Sequence, residues 1–294
     1  MDSGVGRIAL QRSGSEVSFS ELSSTYPLKL LSPRIDQRGV AVVYVLTYGG
    51  GLVGGDAIEL SVEIRENAAL VVLSQGSTKV FKSRIGHMLS TQVSPDAVTS
   101  QTMNVLVQYK GALFLLPDPV TCFRSAKYNQ VQIFRLEGAA SVVILDWVTS
   151  GRRSLGEEWA FSRYYSMNEV WVNDECIAKD VTLLEEHASS VPPLSSRTLA
   201  DALAPYSCYA TLILYGPLAQ STIRHLSGEY AEISVFKHST PPSFLWSLSH
   251  IREGKGCVVR VAAKETEDVR SWLGLRLKPL ERVIGNDIYR KAFS

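Results

Sequence analysis

Alternation of apolar and polar positions dominates the first two thirds of the chain. In Ala57–Ile64 the residues Ile58, Leu60, Val62 and Ile64 share one face, the period-two signature of a half-buried strand. Residues 41–48 are dense in β-branched and aromatic types, and further strand-like runs cover 69–73, 104–109, 130–136, 141–148 and 164–172. Turn residues punctuate these runs at short intervals: Glu66-Asn67, Ser94-Pro95-Asp96, Pro117-Asp118-Pro119 and Glu137-Gly138. The pattern predicts a mainly β protein over residues 1–190, built as stacked antiparallel sheets in a sandwich or β-helix-like coil.

The last third has a different rhythm. Val191-Pro192-Pro193 breaks the pattern. A short helix is expected over 197–203, a strand over 209–215 ended by Gly216-Pro217, a helical stretch over 218–226 and a strand over 256–262. Thr266 is the expected cap of a further helix, with Glu267 and Asp268 in the first turn where the helix dipole favours them. Val269, Trp272, Leu273, Leu277 and Leu280 form its apolar face, read as core first and as a partner surface second. Pro279 should bend or restart that helix. Residues 191–294 therefore read as an α+β part packed on the main domain, with no flexible linker between them.

Composition narrows the class. The chain has 294 residues and balances 30 lysines and arginines against 29 aspartates and glutamates, a net charge of +1. That is too little field for a nucleic-acid binder of the basic-patch kind. Cys122, Cys176, Cys208 and Cys257 are far apart and form no CxxC pair, so neither a secreted disulfide framework nor a structural zinc site is indicated. Cys122 lies in an apolar stretch and is read as buried. No signal-peptide layout and no run of about 18 apolar residues is seen, which leads us to expect a cytoplasmic, membrane-free protein.

Candidate chemistry is concentrated in loops. Gly49, Gly51 and Gly54 match G-x-G-x-x-G formally, but a strand follows where a dinucleotide site needs a helix, and no Lys-Ser/Thr closes a phosphate loop. A glycine turn is the plain reading. The functional one adds Asp56, a carboxylate beside bare backbone. The stretch 73–82, with Gln75, Ser77, Thr78 and Lys79, reads as strand, hydroxyl-rich turn and strand. In 146–159, Arg152, Arg153, Glu157 and Glu158 are either a self-paired charged loop or an acidic pair held by Gly151 and Gly156 between Trp147 and Trp159. The five histidines (His87, His187, His225, His238 and His250) share no ligand spacing, and no GxSxG elbow is present. The sequence offers no nucleophile with a base. An enzyme reading survives only as a carboxylate-based glycoside hydrolase with the two tryptophans lining a sugar cleft.

These stretches, in this order, resemble the urease accessory protein D family, in its plant and fungal form. The glycine segment with its closing Asp corresponds to Gly50, Gly51, Gly54, Gly55 and Asp56. The Gln-x-x-Thr-Lys segment corresponds to Gln75, Thr78 and Lys79, and the Leu-Pro segment to Leu116 and Pro117, with Asp118 the remaining acid nearby. The Gly-Arg…Gly-Glu loop corresponds to Gly151, Arg152, Gly156 and Glu157. Pro119 and Arg124 stand where bacterial members carry acids, and Leu73-Ser74 replaces a Thr-Thr pair. The resemblance implies a mainly β fold and a non-catalytic chaperone with no tightly bound cofactor. It implies docking with accessory protein F, the GTPase accessory protein G and apo-urease, and nickel in transit to the urease active site. Asp56, Glu157 and its neighbour Glu158 are the carboxylates it nominates for that path. Such lone oxygen ligands suit a site that must release its ion.

Overall fold

The computed structural model describes residues 4–35, 37–82, 97–185, 197–233 and 241–293. The chain opens with an antiparallel hairpin, β1 (Gly4–Ser13) and β2 (Glu16–Ser24), and a second antiparallel pair, β3 (Leu28–Leu31) and β4 (Val40–Thr47). It then passes back and forth between two facing sheets. β5 (Ala57–Ile64), β8 (Thr99–Val107), β11 (Lys127–Leu136) and β13 (Arg163–Val172) join β1 in the first sheet. β6 (Ala69–Leu73), β9 (Ala112–Leu115) and β12 (Ser141–Thr149) join β4 in the second, where short β7 (Thr78–Val80) and β10 (Val120–Cys122) form a side branch. β14 (Glu175–Glu185) closes one edge of the first sheet. β15 (Cys208–Tyr215), β16 (Phe244–Ile251) and β17 (Gly256–Ala263) extend the second in the order β12-β15-β17-β16.

The mainly β, stacked-sheet expectation is met, with one correction: the sheets are mixed rather than antiparallel. β1, β5, β8, β11 and β13 run parallel, as do β4, β6, β9 and β12. The reason lies in the turns. Asn67 and Gly138, in left-handed conformations, carry the chain across to the facing sheet instead of back beside the strand just made. Each return to a sheet is then in the same direction, and the strand of the other sheet serves as the crossover that parallel pairs require.

The sandwich interior is apolar over most of its area, with Ile8, Leu60, Val62, Phe134 and Tyr164 fully buried. The second sheet is covered on its other face too, by α2 (Gln220–Ala231), α3 (Thr266–Arg276), α4 (Glu281–Ile284) and α5 (Asn286–Phe293), whereas the short α1 (Leu199–Leu203) packs against the sandwich core. Two covered faces explain why β6 and β9 are buried at every position, whereas β5 and β13 alternate. Val269, Trp272, Leu273, Leu277 and Leu280 all face this second core, so the helical face is packing and not a free surface. Thr266 is the first helical residue rather than the cap; Glu265 occupies the cap position, and its carboxylate is taken by Arg153 at 2.6 Å. Lys278–Leu280 restarts the chain as a short 3-10 turn around Pro279. β15 hydrogen-bonds to β12 along its length, which ties the last third to the main sheet. The boundary at 190/191, the Val191-Pro192-Pro193 break, the Ser94-Pro95-Asp96 turn and His87, His187 and His238 lie outside the described residues.

Candidate functional site

The glycine segment follows β4 as a tight turn. Gly49 and Gly50 have φ of 74° and 77°, which L side chains rarely adopt. Gly51 is glycine for a different reason: a Cβ there would stand 2.6 Å from both the Lys79 carbonyl oxygen and the Phe81 ring. That close approach lets Leu52 pair with the β7 strand, its N–H donating to Lys79 O and its carbonyl accepting from Phe81 N–H, each at 2.8 Å. Asp56 turns back on its own loop, where Oδ2 accepts the Val53 N–H at 2.7 Å and its N–H donates to Val53 O at 2.9 Å. Its carboxylate is thereby the fastening of a turn.

The second and third motifs are laced together. Asp118 Oδ2 accepts the Gly76 N–H at 2.9 Å, and its own N–H donates to Ser74 Oγ at 2.7 Å. Its Oδ1 accepts from Arg270 of α3 at 2.7 Å. Thr78 N–H donates to Pro119 O, and Trp147 Nε1–H to Pro117 O at 2.8 Å. Lys79 is exposed. In the fourth motif Glu157 is buried in a two-pronged pair with Arg152, at 2.8 and 2.7 Å, with Arg124 at 3.7 Å. The Arg152 guanidinium also lies 4.1 Å from the Phe123 ring centre. These bonds to Arg152 hold the Glu157 carboxyl below its ordinary range. Glu158 is exposed and pairs with Arg153, which also grips Glu265. The charged loop is thus self-paired, the plainer of its two sequence readings.

Glycine turn, Gln75–Thr78 turn and Leu-Pro turn meet around the mouth of one pocket between the sheets, of about 120 Å3, to which Thr47, Gln75, Thr78 and Asp118 contribute. At its floor is Asp146 of β12. Asp146 Oδ2 accepts from Ser166 Oγ at 2.5 Å and Asn168 Nδ2 at 2.7 Å; Oδ1 accepts from Gln130 Nε2 at 3.1 Å and, more distantly, from Tyr164 Oη. No cation faces it among the described residues' ion pairs. Burial raises its pKa, and the three side-chain donors partly oppose that. Tyr128 Oη reaches Gln130 Oε1 at 3.0 Å and Gln101 Oε1 at 3.2 Å. Two buried oxygens, Gln132 Oε1 and Asn168 Oδ1, have no partner. A polar hollow with an orphaned acceptor, Gln132 Oε1, in its lining is fit to hold water.

Sequence reasoning named the stretch beginning at Asp146 but gave that residue no role, and it passed over Gln130, Gln132 and Asn168. The available signal was the recurrence of polar residues at alternate positions, 128, 130 and 132 in β11 and 166 and 168 in β13, on the same face as Phe134 and Val170. Asp56, Glu157 and Glu158 are not drawn into one group: among the described residues no three His, Cys, Asp or Glu side chains could hold a metal. Trp147 and Trp159 are buried, at 4% exposure each, and offer no sugar platform. Cys122, Cys208 and Cys257 are buried free thiols, and burial pushes Cys208 and Cys257 up to about 12. No helix among the described residues is long and apolar enough to cross a membrane.

Two stacked sheets, with helices behind the second, enclose a small hollow floored by the Asp146 carboxylate. Residues 3–290 match the family model of the UreD urease accessory protein, and the chain belongs to that family. It is 40% identical to urease accessory protein 4 of Cryptococcus neoformans, over 92% of this chain and 88% of that protein. It is 34% identical to urease accessory protein D of Arabidopsis thaliana, over 97% and 99%, and 31% identical to UreD of the bacterium Sorangium cellulosum, over 99% and 84%. Family membership carries a role in urease maturation.

Proposed function

We infer that this chain is a non-catalytic chaperone of urease maturation in the cytoplasm, joining accessory proteins F and G to apo-urease and passing nickel through its own interior. The observation that carries the conduit reading is the pocket floored by Asp146. A sandwich otherwise filled largely with apolar side chains keeps the Asp146 carboxylate and the carboxamides of Gln101, Gln130, Gln132 and Asn168 between its sheets, two of these carboxamides with an unpartnered oxygen. Burying such groups is costly unless they are hydrogen-bonded, and two of these oxygens are not. Carboxylate and carboxamide oxygens are weak ligands for nickel beside imidazole or thiolate, as handover requires. The mouth is framed by the motifs the family shares, so a partner seated on those turns would cover the opening. Asp146 has more support for this role than the loop carboxylates. Glu157 and Glu158 already face guanidinium groups, and Asp56 serves its own turn.

The test is nickel per urease after activation with complete accessory complexes carrying Asp146→Asn, Asp56→Ala or Glu157→Ala, alongside pull-down of F and urease. The expected result is reduced metallation with an intact complex for Asp146→Asn. Normal metallation with that variant would leave a scaffold that touches no nickel.

A further inference from the structure

The polar layer continues beyond the pocket. Asn168 stands opposite Asp180 in the β13–β14 register, and both are buried, at 0% and 7% exposure. Asn168 donates to Asp146 through Nδ2, while its Oδ1 is one of the two orphaned acceptors. The other, Gln132 Oε1, belongs to the residue beside Asn168 in the β11–β13 register, and Gln132 lines the pocket. Asp180 is close enough to Asp146 for its negative charge to oppose ionisation there. Oxygens of Asp146, Asn168 and Asp180 therefore form a line from the pocket to the edge of the sandwich. At that edge Arg260 of β17 reaches across from the other sheet, and its Nη2 donates to Asp180 Oδ1 at 2.5 Å. The Arg260 side chain is 55% exposed, against 9% for Asp180.

We propose that Arg260 is an electrostatic plug: its guanidinium occupies the Asp180 carboxylate, the last oxygen of the interior line, and so keeps a divalent cation from settling there. The proposal rests on the reading of the interior as a nickel passage. Guanidinium and metal ion compete for one carboxylate, and the ion, with twice the charge, is the stronger competitor at equal distance. Arg260 is half in water, so a displaced guanidinium is rehydrated, whereas Asp180 is buried in a paired strand and must keep a cation as its partner. A second pair, Arg252 of the β16–β17 turn with Glu175, joins the same strand to the facing sheet. The plug thus sets affinity: the last carboxylate is open to an arriving ion but never idle.

The experiment is equilibrium dialysis of Ni2+ against the full chain in its accessory complex, with melting temperature as the control for folding. Arg260→Gln is expected to bind nickel at least threefold more tightly, Arg260→Lys to match the unmodified chain, and Asp180→Asn/Arg260→Gln to lose the gain. Unchanged affinity in Arg260→Gln, with weakened binding in Asp146→Asn, overturns the plug and leaves the passage standing. Unchanged affinity in both overturns the passage reading as well. Equal tightening by Arg260→Lys would show that charge is not the cause and also overturns the plug. If Arg260→Gln does not fold, Asp180→Asn, which leaves no buried charge unpaired, decides: affinity within twofold of the unmodified chain supports the plug, and a marked loss overturns it.

Discussion

Replacing Asp146 separates the cost of its charge from the value of its hydrogen bonds. Asp146→Leu leaves Asn168 Nδ2 without an acceptor and removes one from Ser166 and Gln130, which still hold each other at 3.1 Å. Two strongly bound donors are orphaned, Asn168 Nδ2 and Ser166 Oγ, at about 1–3 kcal/mol each, and the longer Tyr164 Oη bond goes with them, which puts the loss near 2–4 kcal/mol once pocket water relieves part of it. Asp146→Asn keeps the shape, and turning the Asn168 amide would present its idle Oδ1 to the new NH2 group. That variant should stay within about 1 kcal/mol of the parent. The two should also differ from the parent in pH dependence. The folded state raises the pKa of Asp146, so the stability it contributes is full below the ordinary aspartate value of about 3.9 and is lost as pH rises through the raised value. Asn cannot ionise. The stability of Asp146→Asn relative to the parent should therefore improve between pH 4 and pH 7. Urea unfolding followed by far-UV circular dichroism at the two pH values measures this. Equal losses for Asn and Leu, or a pH-independent difference between Asn and parent, would refute the account of Asp146 as a partly buried, hydrogen-bonded carboxylate.

Gly51→Ala should destabilise by about 1–3 kcal/mol, because its Cβ meets the Lys79 carbonyl and the Phe81 ring, whereas Gly49→Ala faces open space and should cost only the positive-φ penalty of about 1 kcal/mol; thermal melts rank the two. Glu157→Ala should lose stability at neutral pH, and the gap to the parent should close as pH falls. A lowered carboxyl pKa contributes stability above the ordinary glutamate value of about 4.3 and loses it as pH drops through the folded value, so melts at pH 7 and pH 3 check the sign. Asp118→Ala should free Arg270 and the Gly76 turn together, seen as faster amide exchange at 74–78 with the α3 core unchanged.

How legible the chain was depends on the element. Ala57–Ile64 and Ala69–Leu73 were readable to the residue, because one alternates cleanly and the other is apolar throughout. The hairpin β1–β2 and the edge strand β14 were not, since the hairpin's alternation runs only over Glu16–Ser20 before a register shift at Ala9/Leu10 breaks it, and β14 carries polar residues on both faces. The motif loops were visible as loops. What held them, Asp118 with Arg270 across 152 positions or Leu52 against β7, depends on contacts distant in sequence.

The residue pattern alone was enough for the β class, the glycine turns, the burial of Cys122 and, through four ordered motifs, the family. Local sterics and hydrophobic period act over a few residues, so they can be read a few residues at a time. Only the tertiary structure set which face of β11 turns inward. In β11, Val131 and Ile133 alternate with Gln130 and Gln132, and hydrophobicity favours burying the first pair. The fold buries the glutamines, because Tyr128, Phe134 and Leu136 on the same face commit the strand's register and a strand cannot turn single residues over. The polar line from Asp146 to Asp180, and the arginine that closes it, exist only because two sheets are brought face to face in that register.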